Sequence, residues 1–233
     1  MRLPIISAVA TVLVGLGVPL VAAGPGASGG ALALALVLIL AAPGRLDLLK
    51  DVVRGVRSPL GIAVVVMFVL WVPAVVDSLD PVRSLKMWAR TFAYVAAVAL
   101  LFQFLRRSEI ASSICLRALV VGSVLCVTIS LLGIYVWDPI YAVFRGKLDA
   151  NLDAALLLKF YGSAVACLVP VVLWAGFRLG RGWRVASFAF TAMGIVLIFA
   201  VSSNSGLLGL VAGAIVGAAT IATWHPSRAW TVP

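Results

Sequence analysis

Residues 61–90 read GIAVVVMFVLWVPAVVDSLDPVRSLKMWAR, and this stretch decides the class of fold. From Gly61 to Val76 no side chain is charged, and the run is too long and too uniformly apolar for a surface element. A short polar connection follows at Asp77-Ser78-Leu79-Asp80, and then a second element begins at Pro81. Asp80 can cap that helix, because a carboxylate accepts the free amides of a first turn and proline suits its first position. Arg83, Lys86 and Arg90 are spaced i, i+3 and i+7, which places three cations on one helix face. Leu85, Met87 and Trp88 lie mostly away from that stripe.

The whole chain repeats this pattern. Of 233 residues 64% are hydrophobic and only 11% are charged, against about 25% charged in a soluble domain. Long apolar runs such as Ala186–Val201 lack the alternation of a membrane β-barrel. The expected fold is all-α, a polytopic transmembrane helical bundle forming a single domain over residues 1–233. About eight spans are expected, near 5–23, 30–42, 60–76, 91–105, 114–136, 160–177, 185–201 and 207–223. The run Val21-Ala22-Ala23 resembles a signal-peptidase site, but the apolar stretch is long and reads as an uncleaved helix.

Loop charge sets an orientation. With the N-terminus inside, twelve Lys/Arg lie on the cytoplasmic side and six outside, so both termini are expected in the cytoplasm. The inner cations fall in basic loops at 44–59, 106–117 and 178–184, and the outer ones in 77–90 and 138–159. The net charge of +10 therefore points to cytoplasmic loops and headgroups, and no nucleic-acid partner is expected. Cys115, Cys126 and Cys167 sit inside apolar runs with no CxxC spacing and read as small buried hydrophobes.

The chemistry available is narrow. Arg83, Lys86 and Arg90, and more weakly Arg145, Lys147 and Lys159, can hold an anion such as a lipid-linked pyrophosphate, since arginine forks onto phosphate oxygens. The competing reading is that they anchor helix ends to headgroups. Asp149 and Asp153, four apart, read as an ion-pair set or as acid–base groups, and Asp77 and Asp80 as turn and cap residues. His225, the sole histidine, lies at the expected cytoplasmic end, so a base for outer-face chemistry cannot come from it. No metal cluster is expected and no cofactor. Spans without deep ionisable groups, Gln103 apart, speak against an ion-coupled transporter.

Three segments carry a likeness. They are Trp71–Arg90, the stretch ANLDAALLLKFYGSAVACLVPVVLW at 150–174, and LIFAVSSNSGLLGLVAGAIVG at 197–217. In them the chain resembles the O-antigen ligase and polymerase family of bacterial envelope proteins. The resemblance implies a multi-pass glycosyltransferase fold of the bacterial inner membrane. Its substrate would be a polyprenyl-diphosphate-linked glycan at the periplasmic face, with the lipid diphosphate as leaving group and no nucleotide sugar or metal. By position it adds Asn204 and Ser205 as diphosphate contacts beside Arg83, Lys86 and Arg90. The family's serine-rich turn carries an arginine after the serine, whereas here the run is Asn204-Ser205-Gly206. Members continue into a large periplasmic loop, so the sequence to Pro233 reads as the N-terminal portion of such a protein. The alternative is a non-catalytic membrane subunit, or a lipid or polysaccharide transporter component, packing through Gly206, Gly209, Gly213 and Gly217.

Overall fold

A computed structural model describes residues 4–42, 44–137, 139–140, 143 and 157–223. All regular structure among them is helical. The helices are α1 (Ile5–Gly17), α2 (Pro25–Ala41), α3 (Arg45–Val56), α4 (Pro59–Val76), α5 (Pro81–Arg106), α6 (Glu109–Tyr135), α7 (Lys159–Leu179), α8 (Arg181–Ala200) and α9 (Asn204–Thr223), with a 3-10 turn at Pro19–Ala23. Four of them, α5 to α8, are long and apolar enough to cross a membrane. Ile5–Gly17 and Gly61–Val76 are apolar but shorter.

Local chemistry explains where the boundaries depart from the sequence reading. The first expected span, 5–23, is not one helix. Proline 19 lacks the amide needed to continue the ladder, and the chain tightens into the 3-10 turn after thirteen residues of α1. The glycine-rich turn expected at 24–30 is instead the opening of α2, because Pro25 is well placed at a first helical position. The expected basic loop at 44–59 is mostly the helix α3, and Glu109 starts α6 within the loop expected at 106–117. At 178–184 only Gly180 separates α7 from α8, its φ of 114° allowing the chain to reverse there.

The chain divides into two compact units. The first comprises 1–14 and 30–115 and has a small core of Ala10, Ile39, Leu48 and Leu101. Its α3 is amphipathic. Leu48 is buried, Leu46, Leu49, Val53 and Val56 form an exposed apolar stripe, and Lys50–Asp47 and Arg54–Asp51 pairs, each at 3.3 Å, lie along the rest. Asp47 in the first turn and Arg54 in the last complement the helix dipole. Ser58 then locks the α3–α4 corner, donating to Gly55 O at 2.6 Å and accepting from Gly61 N at 3.1 Å. Next, α4 and α5 interlock through aromatic rings. Trp88 stacks on Phe92 at 5.7 Å, Phe68 meets both edge-on, and Trp88 Nε1 donates to Phe68 O at 3.1 Å.

Elsewhere α4 and α5 present apolar side chains outward, including Leu70 (72% exposed) and Val98 (64%). Such surface is far beyond what water tolerates in a monomer and fits hydrocarbon.

The second unit, 15–29 and 116–233, holds the larger core. Val120 and Val127 of α6 pack with Val165, Val172 and Ala175 of α7 and Phe190, Leu197 and Ile198 of α8, all essentially inaccessible. Closest approach falls at Gly176, where an added Cβ would lie 2.8 Å from both Ser187 Cβ and Trp183 O. At the α7–α8 turn the arginines rest on rings: Arg178 on Trp174 (5.4 Å) and Arg184 on Phe177 (5.1 Å), while Arg117 of α6 lies over Trp183 (6.0 Å). Cys115 and Cys126 are buried as expected, but Cys167 is exposed, because it falls on the outward face of α7.

Candidate functional site

The start of α5 forms as its sequence dictates. Asp80 Oδ1 accepts the amide of Arg83 at 3.0 Å, and Pro81 occupies the first turn. Arg83, Lys86 and Arg90 are all exposed, and Trp88 faces the opposite way, into the aromatic contact with α4. Arg90 is partly committed within its own helix. Its Nε donates to Tyr94 Oη at 3.0 Å and its guanidinium lies 5.4 Å from the Tyr94 ring centroid. That contact orients the fork and leaves the terminal nitrogens for a ligand.

Asn204 and Ser205 occupy the first turn of α9 in the second unit, and both are exposed. The turn before them carries Ser202 in a left-handed conformation, φ 49°, which aims the buried Ser203 back as the cap of α9. Ser203 Oγ accepts from Gly206 N at 3.2 Å. Ser163, near the start of α7, completes a triangle. Its hydroxyl lies 2.7 Å from Ser205 Oγ and 3.2 Å from Ser203 Oγ, and it donates to Lys159 O at 3.4 Å.

The triangle exists because α7 and α9 approach closely at Gly162, where a Cβ would sit 2.9 Å from Val201 Cγ2. Gly206 and Gly209 pack inside the unit against α7, while no described residue lies within 4 Å of a Cβ at Gly213. The side chain position at Gly217 lies outside the described residues.

The residues expected to meet a diphosphate thus separate into two groups. Arg83, Lys86 and Arg90 share a face of α5 in the first unit, and Asn204 and Ser205 sit with Lys159, exposed at the start of α7, in the second. Arg145 and Lys147 lie outside the described residues, as do Asp149, Asp153 and His225.

Ser163 is the residue that sequence reasoning missed. Its only signal was position, one residue beyond a glycine in the first turns of an apolar helix. Chemically, with Ser163 donating to Lys159 O, the protons of Ser203 and Ser205 point at Ser163, so an anion arriving there would meet the free amides that open α9 and would draw a hydroxyl proton only by turning it out of the triangle. Among the described residues, no carboxylate or imidazole is hydrogen-bonded to it. No protein family, curated protein or solved structure matches the chain.

Proposed function

We propose that the chain is a membrane-embedded protein of the bacterial inner membrane that handles a polyprenyl-diphosphate-linked saccharide, as the O-antigen ligase-like resemblance implies. In this reading eight segments cross or enter the bilayer, both termini are cytoplasmic, and the starts of α5, α7 and α9 face the periplasm. Each unit, taken by itself, carries one set of candidate contacts for such an anion: the charges of Arg83, Lys86 and Arg90 in the first, and the hydrogen-bonding groups of Asn204 and Ser205 in the second.

The observation that carries the reading is the hydroxyl triangle of Ser163, Ser203 and Ser205. Two outward-facing hydroxyls and a capped helix N-terminus meet there beside Lys159. The exposed cationic face of α5 supports it.

The test is binding of a short-chain polyprenyl diphosphate to the chain in nanodiscs. Lys86→Ala and Ser205→Ala are each expected to weaken binding about five- to ten-fold, in line with the loss of one charged or neutral hydrogen bond. Unchanged affinity in both would remove these residues from the site.

The second reading, a non-catalytic subunit or transporter component, is favoured by one feature. Beside Gly213 on α9, Leu208 and Val211 are exposed and no described residue lies within 4 Å of a Cβ at the glycine, leaving room for a partner helix to approach closely. Stoichiometric co-purification of a membrane partner that is lost in Gly213→Leu, with polyprenyl diphosphate binding absent, would select this reading.

A further inference from the structure

We propose that the groove between α3 and the C-terminal end of α5 binds the phosphate of an anionic phospholipid headgroup. The proposal rests on membrane embedding and not on the saccharide reading. It concerns the other end of α5 from Arg83, a distance of about 35 Å along the helix axis.

The groove has a volume of about 470 Å³ and is lined by Asp51, Arg54, Gly55, Gln103, Arg106 and Arg107. Three guanidiniums face one carboxylate, which leaves a net charge of two positive. Asp51 is already occupied. It accepts from Arg107 Nε at 3.1 Å, from Arg107 Nη2, and from Arg54 Nη1 at 3.3 Å. Arg106 has no acidic partner among the described residues.

Gln103 makes the same point independently. It is half-buried near the end of an apolar helix, and its Nε2 would lie 3.2 Å from a Cβ at Gly55, so the amide lies against the groove wall at that glycine. No described residue hydrogen-bonds it. Gln103 and Arg106 thus line one groove with donors that no described residue takes up, and an oxyanion can accept from both.

The lipid source follows from α3. Leu46, Leu49, Val53 and Val56 form an exposed apolar stripe on it, while charged side chains line much of the remaining surface. A helix of that kind lies in the plane of the interface, with its apolar face toward acyl chains and its cations among phosphates. The groove beside it therefore opens at headgroup depth. Its volume exceeds a bare phosphate and admits a phosphoglycerol headgroup. A zwitterionic headgroup would bring an ammonium against Arg54 and Arg106, so selection for net negative lipid is expected.

The test uses the full chain reconstituted in phosphatidylcholine vesicles carrying trace spin-labelled phosphatidylglycerol or spin-labelled phosphatidylcholine. The motionally restricted fraction reports lipid held at the protein. The wild-type chain is expected to prefer the anionic label. Arg54→Gln and Arg106→Gln are each expected to lower that preference about five-fold. Gln103→Glu, which keeps every arginine, is expected to lower it as well, and Lys50→Gln, which removes a cation of α3 outside the groove, is expected to leave it intact.

Preference unchanged in both the Arg54→Gln/Arg106→Gln pair and Gln103→Glu would overturn the proposal. So would an equal loss in Lys50→Gln, which would mean diffuse attraction. Displacement of the label by millimolar inorganic phosphate would assign the groove to a free anion and overturn the lipid source.

Discussion

Arg107, the residue that caps the C-terminus of α5, holds Asp51 of α3 through two nitrogens on one carboxylate oxygen, Nε at 3.1 Å and Nη2, across 56 residues of sequence. Its Nη1 also reaches the carbonyl of Gly44 at 3.5 Å, just before α3 begins. One guanidinium therefore fixes both the start and the middle of the amphipathic helix against the end of a long membrane helix. The hydrogen bond from Arg107 holds the Asp51 carboxyl below its ordinary value of 3.8. Desolvation opposes that shift, and the charges of Arg107 and Arg54 reinforce it.

This linkage gives a pH dependence with a definite sign. A carboxyl whose pKa is depressed in the folded state contributes stability that is fully present above its unfolded value. That contribution fades as pH falls through the lower folded value. Docking of α3 is therefore expected to be constant at neutral pH and to loosen only below about pH 4. Spin labels at Leu49 and Phe102, both exposed, would show a narrow distance distribution above that point and a broad one below. Asp51→Asn should be broad at every pH. A narrow distribution in Asp51→Asn would mean that Leu48 packing alone fixes the helix.

Packing of α7 on α8 yields the second expectation. Gly176 allows the backbone of α7 to approach Trp183 O and Ser187 of α8 so closely that even a methyl has no room. Gly176→Ala is expected to cost about 1–3 kcal/mol, and Gly176→Leu to separate the helices. Thermal unfolding in detergent checks the first. Loss of a disulfide crosslink engineered between α7 and α8 checks the second. Gly182, with open space about it, is the control that should accept alanine.

Trp88 makes a third. Its ring stacks on Phe92 and meets Phe68, and its Nε1 donates to Phe68 O at 3.1 Å. Trp88→Phe keeps most of the ring contact and loses the hydrogen bond, which within a membrane contributes about 0.6 kcal/mol. Trp88→Ala loses both and is expected to cost about 3–5 kcal/mol. Equal stability in the two variants would show that the hydrogen bond, not the ring, holds α4 to α5.

The helical class was legible because hydrocarbon leaves few choices, and an uncharged run such as Gly61–Val76 has no other plausible fold in a chain this apolar. The cap at Asp80 was legible for the same local reason, since it depends on a residue and its third neighbour. What could not be read were features set by long-range partners. The segment at 45–56 looked like a basic loop because its five charged residues are interleaved with its six apolar ones, so no uninterrupted apolar run marks it as a helix. Leu48, Asp51 and the interface between them resolve into helix faces only when Arg107 and Leu101 are in place. Cys167 looked like its two companions in composition, and only the rotation of α7 turns it outward. The proximity of Ser163 to Ser203 and Ser205 is a contact over some forty residues, with no periodic trace in the sequence.

That contact gives the last expectation. Ser163 bridges the starts of α7 and α9 by hydroxyl bonds at 2.7 and 3.2 Å, and Ser203 in turn caps α9. The two serines have different work to do. Ser203→Ala removes the cap as well as the bridge and is expected to cost about 1 kcal/mol of stability, with fraying of the first turn of α9. Ser163→Ala leaves the cap intact, so α9 should remain formed while the orientation of Ser205 is lost. Thermal unfolding therefore separates the variants, with Ser203→Ala shifted and Ser163→Ala nearly unchanged. Polyprenyl diphosphate binding should bring them together again, since both disorder the hydroxyl that faces outward. If Ser163→Ala binds as well as the wild-type chain, the triangle serves only to pack α7 against α9.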